Sequence, residues 1–416
     1  MIDYLLKESS NEDWLVTIAD VNKEVIDAKT KLHKNARSIA LDINDSYKRK
    51  PLIESTDIVI SMMPPALHIL IAKDCIQFSK NLLTASYADE SIQSLESAVK
   101  EKGILFLCEM GLDPGIDHMS AMQILDQIKA SGGTVSSFKS HCGGLVAPES
   151  DNNPWHYKIS WNPRNVVLAG KSGAVYKLDG KVVTETYENL FNPTREVTVE
   201  NTTKDIYSYY PNRNSLSYID VYQLENVNTF IRTTLRYPAF MSGWKQVIDL
   251  QLTNEVPQYQ TDGKTLQTFF AEHFKEFNIP ADQPLSAELL YLGVTDSKTL
   301  INKGLCSAAD VLQFALENKL ALQPGDKDMI VMLHEIDYIL NNITHTINSS
   351  LVVKGDDHIH TAMAKTVGLP LGIAAKMILN GKINLTGIHI PIIKEIYEPV
   401  LHELKEWGIN FIERKD

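Results

Sequence analysis

Cysteine is scarce and scattered in this sequence. The four thiols, Cys75, Cys108, Cys142 and Cys306, form no C-x-x-C pair and no dense framework. That excludes a disulfide-stapled scaffold and a thiolate metal site, and it fits a reducing, cytoplasmic compartment. Long apolar runs are missing too: no stretch approaches the roughly 20 residues of a membrane span. The opening MIDYLLKESSNEDW has acidic residues where an export signal needs basic and then apolar ones. Excess positive charge is missing as well, with a net charge of -12 and a pI near 5.5. Nucleic acid and anionic membranes are therefore poor partners, and a small molecule is a better one. His358 and His360 are spaced i, i+2, with His334 and His389 elsewhere. Without an i, i+4 pair or a third ligand, no metal site is expected.

What is present is an ordinary globular composition, 44% hydrophobic and 22% charged over 416 residues, enough for two or three domains. Helix and strand patterns alternate from the start. Met1 to Ser9 reads as a helix, DWLVTIADVN as a strand ending on Asp20, VNKEVIDAKTKL as a helix and RSIALDI as a strand. STDIVISMM reads as a buried strand, PPALHILIAKDCIQFSK as a helix with Pro at its start, and NLLTASY as a strand. The helix ESIQSLESAVKEKG and the strand ILFLCEM follow. Strands joined by helices indicate a doubly wound parallel sheet, so residues 1–112 read as a Rossmann-like dinucleotide-binding domain.

That domain lacks its first strand and the loop G-x-G-x-x-G, whose backbone amides cradle a pyrophosphate at a helix N-terminus. Asp20 fixes the register, because an acidic residue about 20 positions after such a loop bonds ribose hydroxyls. The loop is thus expected just upstream of Met1, and the chain reads as N-terminally truncated. With its pyrophosphate donors missing, the chain as given is expected to bind NAD weakly.

From Gly132 onward, GTVSSFKSHCG, SGAVYKLDGKVV and NTFIRTTLRY suggest a mixed sheet, so 113–264 and 346–416 read as an α+β substrate and dimerisation domain. Periodicity in SAADVLQFALENKL and KDMIVMLHEIDYIL predicts a helical insertion over 265–345. INSSLVVKG returns to a strand, and a long helix over 360–380 joins the first domain.

Two segments stand out for their chemistry. GLDPGIDHMSAM follows a strand, where an open parallel sheet places its ligand crevice. Asp113 is assigned to the site, while Asp117 reads as a helix N-cap. HCGGLVAPESDNNPWHYKISWNPRNVV is too rich in Gly, Pro and polar groups to be a packing segment. Together with PNRNSLSYIDVY, TLRYPAF and TAMAKTVGLPLGIAAKMIL, these resemble the glutamate-forming saccharopine dehydrogenases along nearly the whole chain.

The resemblance implies substrate contacts from Ser86, Tyr87, Asp113, Arg213, Thr234, Leu235 and Arg236. Saccharopine has three carboxylates, and guanidinium forks grip carboxylates bidentately, which suits Arg213 and Arg236. It also implies reversible oxidation of the secondary amine of saccharopine to an imine, then hydrolysis to glutamate and 2-aminoadipate 6-semialdehyde. Asp113, Tyr87 and Cys142 are the candidates for proton handling. Cofactor contacts are expected from Asp20, Ser61, Met62 and Ser86. The carboxylate of Asp20, with no Arg following in ADVNKE, favours NAD over NADP. A homodimer is expected. Two alternatives stay open at this point: a related secondary-amine dehydrogenase such as one acting on carboxynorspermidine, and an inactive fragment serving as a binding module.

Overall fold

A computed structural model describes every residue except 32, 193, 201, 203–205 and 281. The chain divides into two compact units. One comprises Met1–Gln127 and Ala364–Asn410, the other Ile128–Met363 and Phe411–Asp416. The breaks therefore fall later than the residues 112 and 346 expected from the sequence, and the whole of 364–410 belongs with the first unit.

In the first unit α1 (Ile2–Glu12) leads into β1 (Val16–Asp20), α2 (Lys23–Thr30), β2 (Ala36–Ala40), α3 (Ser46–Glu54), β3 (Ile58–Ser61) and α4 (Pro65–Phe78). The chain continues with β4 (Asn81–Thr84), α5 (Glu90–Gln93), α6 (Glu96–Glu101), β5 (Leu105–Leu107) and α7 (Ile116–Ala130). Side-chain caps set the helix starts: Asn22 accepts the amides of Glu24 and Val25, and Asp45 those of Tyr47 and Lys48. Pro65 opens α4, where its missing N–H costs nothing. The single helix expected over 90–103 is two short ones, broken at Ser94 and Leu95. Leu32, at the end of the helix expected over 21–32, lies outside the described residues. β1 and β2 pair in parallel, as do β3, β4 and β5. These are two separate sheets, one of β1 and β2 and one that includes β3, β4 and β5.

The second unit starts on β6 (Thr134–Val146), followed by α8 (Pro163–Val167), the hairpin β7 (Ala174–Leu178) and β8 (Lys181–Glu185), and α9 (Tyr187–Leu190). Then come β9 (Glu196–Thr198), β10 (Ile206–Pro211), β11 (Arg213–Asn214) and β12 (Thr229–Arg236). A mostly helical stretch holds α10 (Pro238–Asp249), β13 (Tyr259–Gln260), α11 (Leu266–Glu276), α12 (Ala287–Tyr291), β14 (Leu305–Cys306) and α13 (Ala308–Leu320). Its core packs Phe240, Trp244, Phe269 and Phe270 with Trp155. The expected insertion ends there. Residues of KDMIVMLHEIDYIL are not helical but form β15 (Asp328–Leu340), paired antiparallel with β6 on one side and with β16 (Ile343–Lys354) on the other.

The chain then completes both units. α14 (Ala362–Leu379), β17 (Gly387–His389) and α15 (Lys394–Glu406) precede β18 (Ile412–Lys415). β17 adds to β5 in parallel, and β18 pairs with β16 at the edge of a ten-stranded mixed sheet. One helix, α14, is long and apolar enough to cross a membrane by length and composition, contrary to the sequence expectation, but 61% of it is buried within the protein. It is packed against α1: a Cβ at Gly372 would stand 2.6 Å from the Tyr4 ring, and one at Gly368 would meet Met1. Lys376 of α14 bridges Glu8 at 3.0 Å and Glu403 at 3.1 Å, and Tyr4 donates to Glu403.

Candidate active site

Parallel strands end in a common crest, and in the first unit the crest is polar. Ser61 closes β3 and Thr84 closes β4, with Ser86 two residues on. His68, on the buried face of α4, lies between them. Its Nδ1 is 2.7 Å from Ser61 Oγ and its Nε2 is 2.8 Å from Ser86 Oγ. Thr84 Oγ1 lies 3.4 Å from the same Nε2 and accepts the Ser86 amide at 3.2 Å. Burial depresses the pKa of His68 below its ordinary value, against the pull of Asp89, so the ring is neutral near pH 7.

The loop after β5 is built around Glu109, whose φ of +56° is in the left-handed region. That conformation is costly for a residue with a Cβ. It turns the carboxylate inward, where Oε1 accepts the Ala88 amide at 3.2 Å and Oε2 lies 2.8 Å from His118 Nε2 on α7. The Glu109 amide meanwhile donates to Ser86 O at 3.0 Å. Segment 86–88 is thus held from below. The Asp113–Pro114 peptide is cis, and a Cβ on Gly115 would stand 2.1 Å from Gly111 O, so only glycine fits. Asp117 is not the N-cap expected of it. It sits in the first turn of α7 and accepts the Gly115 amide at 2.6 Å. Asp113, half-buried, is at the tip of this braced loop, and Tyr87 is half-buried on the neighbouring one.

Asp20 ends β1 and is exposed, as is Met62 just past β3. Of the residues expected to contact a cofactor, Asp20 and Met62 are thus open at their strand ends, Ser86 is half-buried and Ser61 is buried. A glycine cradle for the pyrophosphate is not among residues 1–102, where the sequence has no glycine.

In the second unit β12 lies parallel to β6 with Thr234 opposite Cys142. Alternation puts Arg232, Thr234 and Arg236 on one face of the sheet with Cys142. Gly143 permits the approach, since a Cβ there would stand 2.7 Å from the backbone oxygen of Leu235. Arg236 is 3% exposed. Its guanidinium donates to Leu235 O at 2.8 Å and lies 5.4 Å from the Tyr157 ring centre and 5.2 Å from that of Phe240. Its Nε has no hydrogen-bond partner, and among the described residues no carboxylate pairs with it. Burial raises the pKa of Tyr157, and the nearby Arg236 charge opposes the rise. Arg213 is exposed on β11 with φ +53°.

The expected site residues thus fall into two sets. Ser86, Tyr87 and Asp113 belong to the first unit, and Cys142, Arg213, Thr234, Leu235 and Arg236 to the second. Leu235 itself turns into the opposite face, within an apolar cluster with Leu145 and Val331. Also on that face, His141 bridges Thr233 Oγ1 at 2.7 Å and Glu335 Oε2 at 2.9 Å. Sequence reasoning passed over His68, Glu109, His118, Arg232 and His141. Among the described residues no group of three or more His, Cys, Asp or Glu side chains is placed to hold a metal ion.

Comparison with known proteins gives a consistent picture. Residues 1–107 match the family described as the saccharopine dehydrogenase NADP binding domain, and residues 111–409 the saccharopine dehydrogenase C-terminal domain. Mitochondrial alpha-aminoadipic semialdehyde synthase of Bos taurus is 35% identical over 99% of this chain, but the match covers 46% of that protein. The chain spans about half the length of such relatives. Saccharopine dehydrogenase [NADP(+), L-glutamate-forming] of Saccharomyces cerevisiae is 31% identical, with 98% of this chain and 95% of that one covered. The solved structure of the apo, histidine-tagged yeast saccharopine dehydrogenase (L-Glu forming) aligns over 100% of this chain and 96% of its own, with a TM-score of 0.87 and 29% identity. These findings overturn the preference for NAD read from Asp20: the matched domain is NADP-binding, and the fungal relatives are named for NADP(+). One Asp20 oxygen accepts the Asn22 amide at 2.9 Å, so a carboxylate at this position also serves the turn after β1 and does not by itself report the cofactor.

Proposed function

The chain belongs to the saccharopine dehydrogenase family, and from that premise we propose that it oxidises the secondary amine of L-saccharopine, using NADP(+), to L-glutamate and 2-aminoadipate 6-semialdehyde. The observation that carries this reading is the buried, uncompensated guanidinium of Arg236. A charge out of water without an opposite charge is costly, and such a group is retained where an anionic ligand completes it. A substrate carboxylate does so, and Arg213, exposed on β11, is the candidate for another.

Bound NADP(+) would supply the hydride acceptor for the carbon beside the secondary amine. Ser61, Met62 and Ser86 are the residues at the strand ends that would hold it. The oxidised substrate is an imine; water adds to its carbon, and the C–N bond then breaks with the electron pair and a proton going to the glutamate nitrogen. Asp113, within the Gly111–Gly115 turn, is the candidate to hold an ammonium group or take a proton. Tyr87 in the first unit and Cys142 in the second are the other candidates for proton handling. The hydroxyl of Thr234 stands opposite Cys142 and completes the polar face. Like many enzymes of this size the protein is proposed to work as a homodimer in the cytoplasm.

Incubating the purified, folded chain with saccharopine and NADP(+) tests the reading. Reduced nicotinamide should accumulate together with glutamate. Absence of both, in protein that calorimetry finds unable to bind saccharopine, overturns it.

A further inference from the structure

His68 lies in neither of the residue sets discussed for substrate or cofactor, yet it connects them. Its ring is 3% exposed, and Ser61 and Thr84 are equally enclosed at 2% and 3%. The two bonds at 2.7 and 2.8 Å link the tips of adjacent parallel strands through one side chain.

Counting hydrogens gives this link a direction. A neutral imidazole has one N–H and one lone pair. Each serine adds one hydroxyl hydrogen, so three hydrogens serve two bonds and one serine hydrogen is left over. If Nδ1 carries the ring proton, it donates to Ser61, Ser86 donates to Nε2, and the hydrogen of Ser61 is free to point elsewhere. If Nε2 carries it, Ser86 receives the ring proton and its own hydrogen is free, while Ser61 gives its hydrogen to Nδ1. The two hydroxyls therefore cannot both donate outward while the ring is neutral. Thr84, at 3.4 Å, is a weaker competitor for Nε2.

We propose that His68 is a positioning residue that makes the two strand tips opposite in polarity, so that an anion at Ser86 converts Ser61 into an acceptor. The inference rests on the reading of Ser86 as a substrate contact. A carboxylate at Ser86 requires the outward hydrogen and so selects the Nε2–H tautomer. Ser61 then presents lone pairs, which suit a hydroxyl or amide donor at the neighbouring strand end. Substrate charge at one tip prepares the other.

Nitrogen-15 NMR of histidine-labelled protein reads the ring proton directly. In the ligand-free chain, Ser61→Ala should move the His68 proton toward Nε2 and Ser86→Ala should move it toward Nδ1. Saturation of the wild type with saccharopine in the presence of NADPH should give the Nε2–H form. Removing the relay with His68→Phe should raise the KM for saccharopine about tenfold, the value of one ordered hydrogen bond, with kcat changed only a few-fold. His68→Gln, which keeps one donor and one acceptor, should recover part of the loss. An identical proton position in wild type and both serine variants overturns the proposal, and so does the Nδ1–H form at saturating saccharopine. If the wild type binds no saccharopine, the functional reading fails by itself, and the two alanine variants still decide the relay. Should His68→Phe not fold, the NMR comparison stands without it.

Discussion

A buried arginine without a carboxylate partner puts function and stability in opposition. Arg236 has aromatic rings and a backbone carbonyl around it, which leaves its charge to be completed by a ligand. Arg236→Met should therefore raise the KM for saccharopine about a hundredfold, as expected for losing a charged hydrogen-bond fork. It should leave the melting temperature unchanged or higher, because an apolar side chain of similar length fits among Tyr157, Tyr210 and Phe240 without a desolvation cost. Parallel kinetics and calorimetry check both halves, and a large loss of stability would contradict the ligand-completed view. Arg236 itself was legible in the TLR tripeptide. His68 was not, although a lone histidine within ALHILIA is a signal of a kind. Its partners are 7 and 18 residues away, and nothing in the chain's periodicity pairs them. Glu109 was hidden for a different reason: its importance comes from a left-handed backbone conformation, which glutamate does not advertise.

At the scale of elements, the pattern that failed was β15. Over Asp328–His334 every residue is buried, because β6 and β16 flank the strand and both faces are covered. A covered strand has no polar alternation to show, so MIVMLH satisfies a helical period as well as an extended one. Caps were more informative, and α13 starts on a capping box of Ser307 and Asp310. Two predictions belong here. Gly372→Ala should destabilise the first unit by about 1–3 kcal/mol through the clash with Tyr4, outweighing the ~1 kcal/mol helix-propensity gain. In a Tyr4→Ala background the same change should become neutral or stabilising, which denaturant melts of the four proteins would establish. The second concerns Asp296, which accepts the amides of Thr299 and Lys298 and the Thr299 hydroxyl. These bonds lower its pKa from 3.8 to about 2. A carboxylate more acidic in the fold than in the unfolded chain stabilises above pH 3.8, and the contribution is lost as pH falls toward 2. Thermal melts of wild type and Asp296→Asn should therefore converge across that window. Curves that stay parallel through it would refute the assignment.

For the whole molecule, motif order along the chain identified the family, whereas the cofactor was misread from one residue. Asp20 was correctly placed at the end of β1, but its carboxylate is engaged with Asn22, a contact invisible without coordinates. The unit boundaries were also displaced. Sequence patterns mark where helices and strands change character, and here the chain changes unit inside helical segments, near Gln127 and near Met363. This discontinuity bears on synthesis. β17 pairs with β5, and α14 packs on α1, only after residues 128–363, all of the second unit but its last strand, have been made. The first unit therefore emerges from the ribosome with an open sheet edge and an uncovered helix face, and waits for its last strand through more than half of translation. Its final closure is a late event, governed by the end of the chain and not by its beginning.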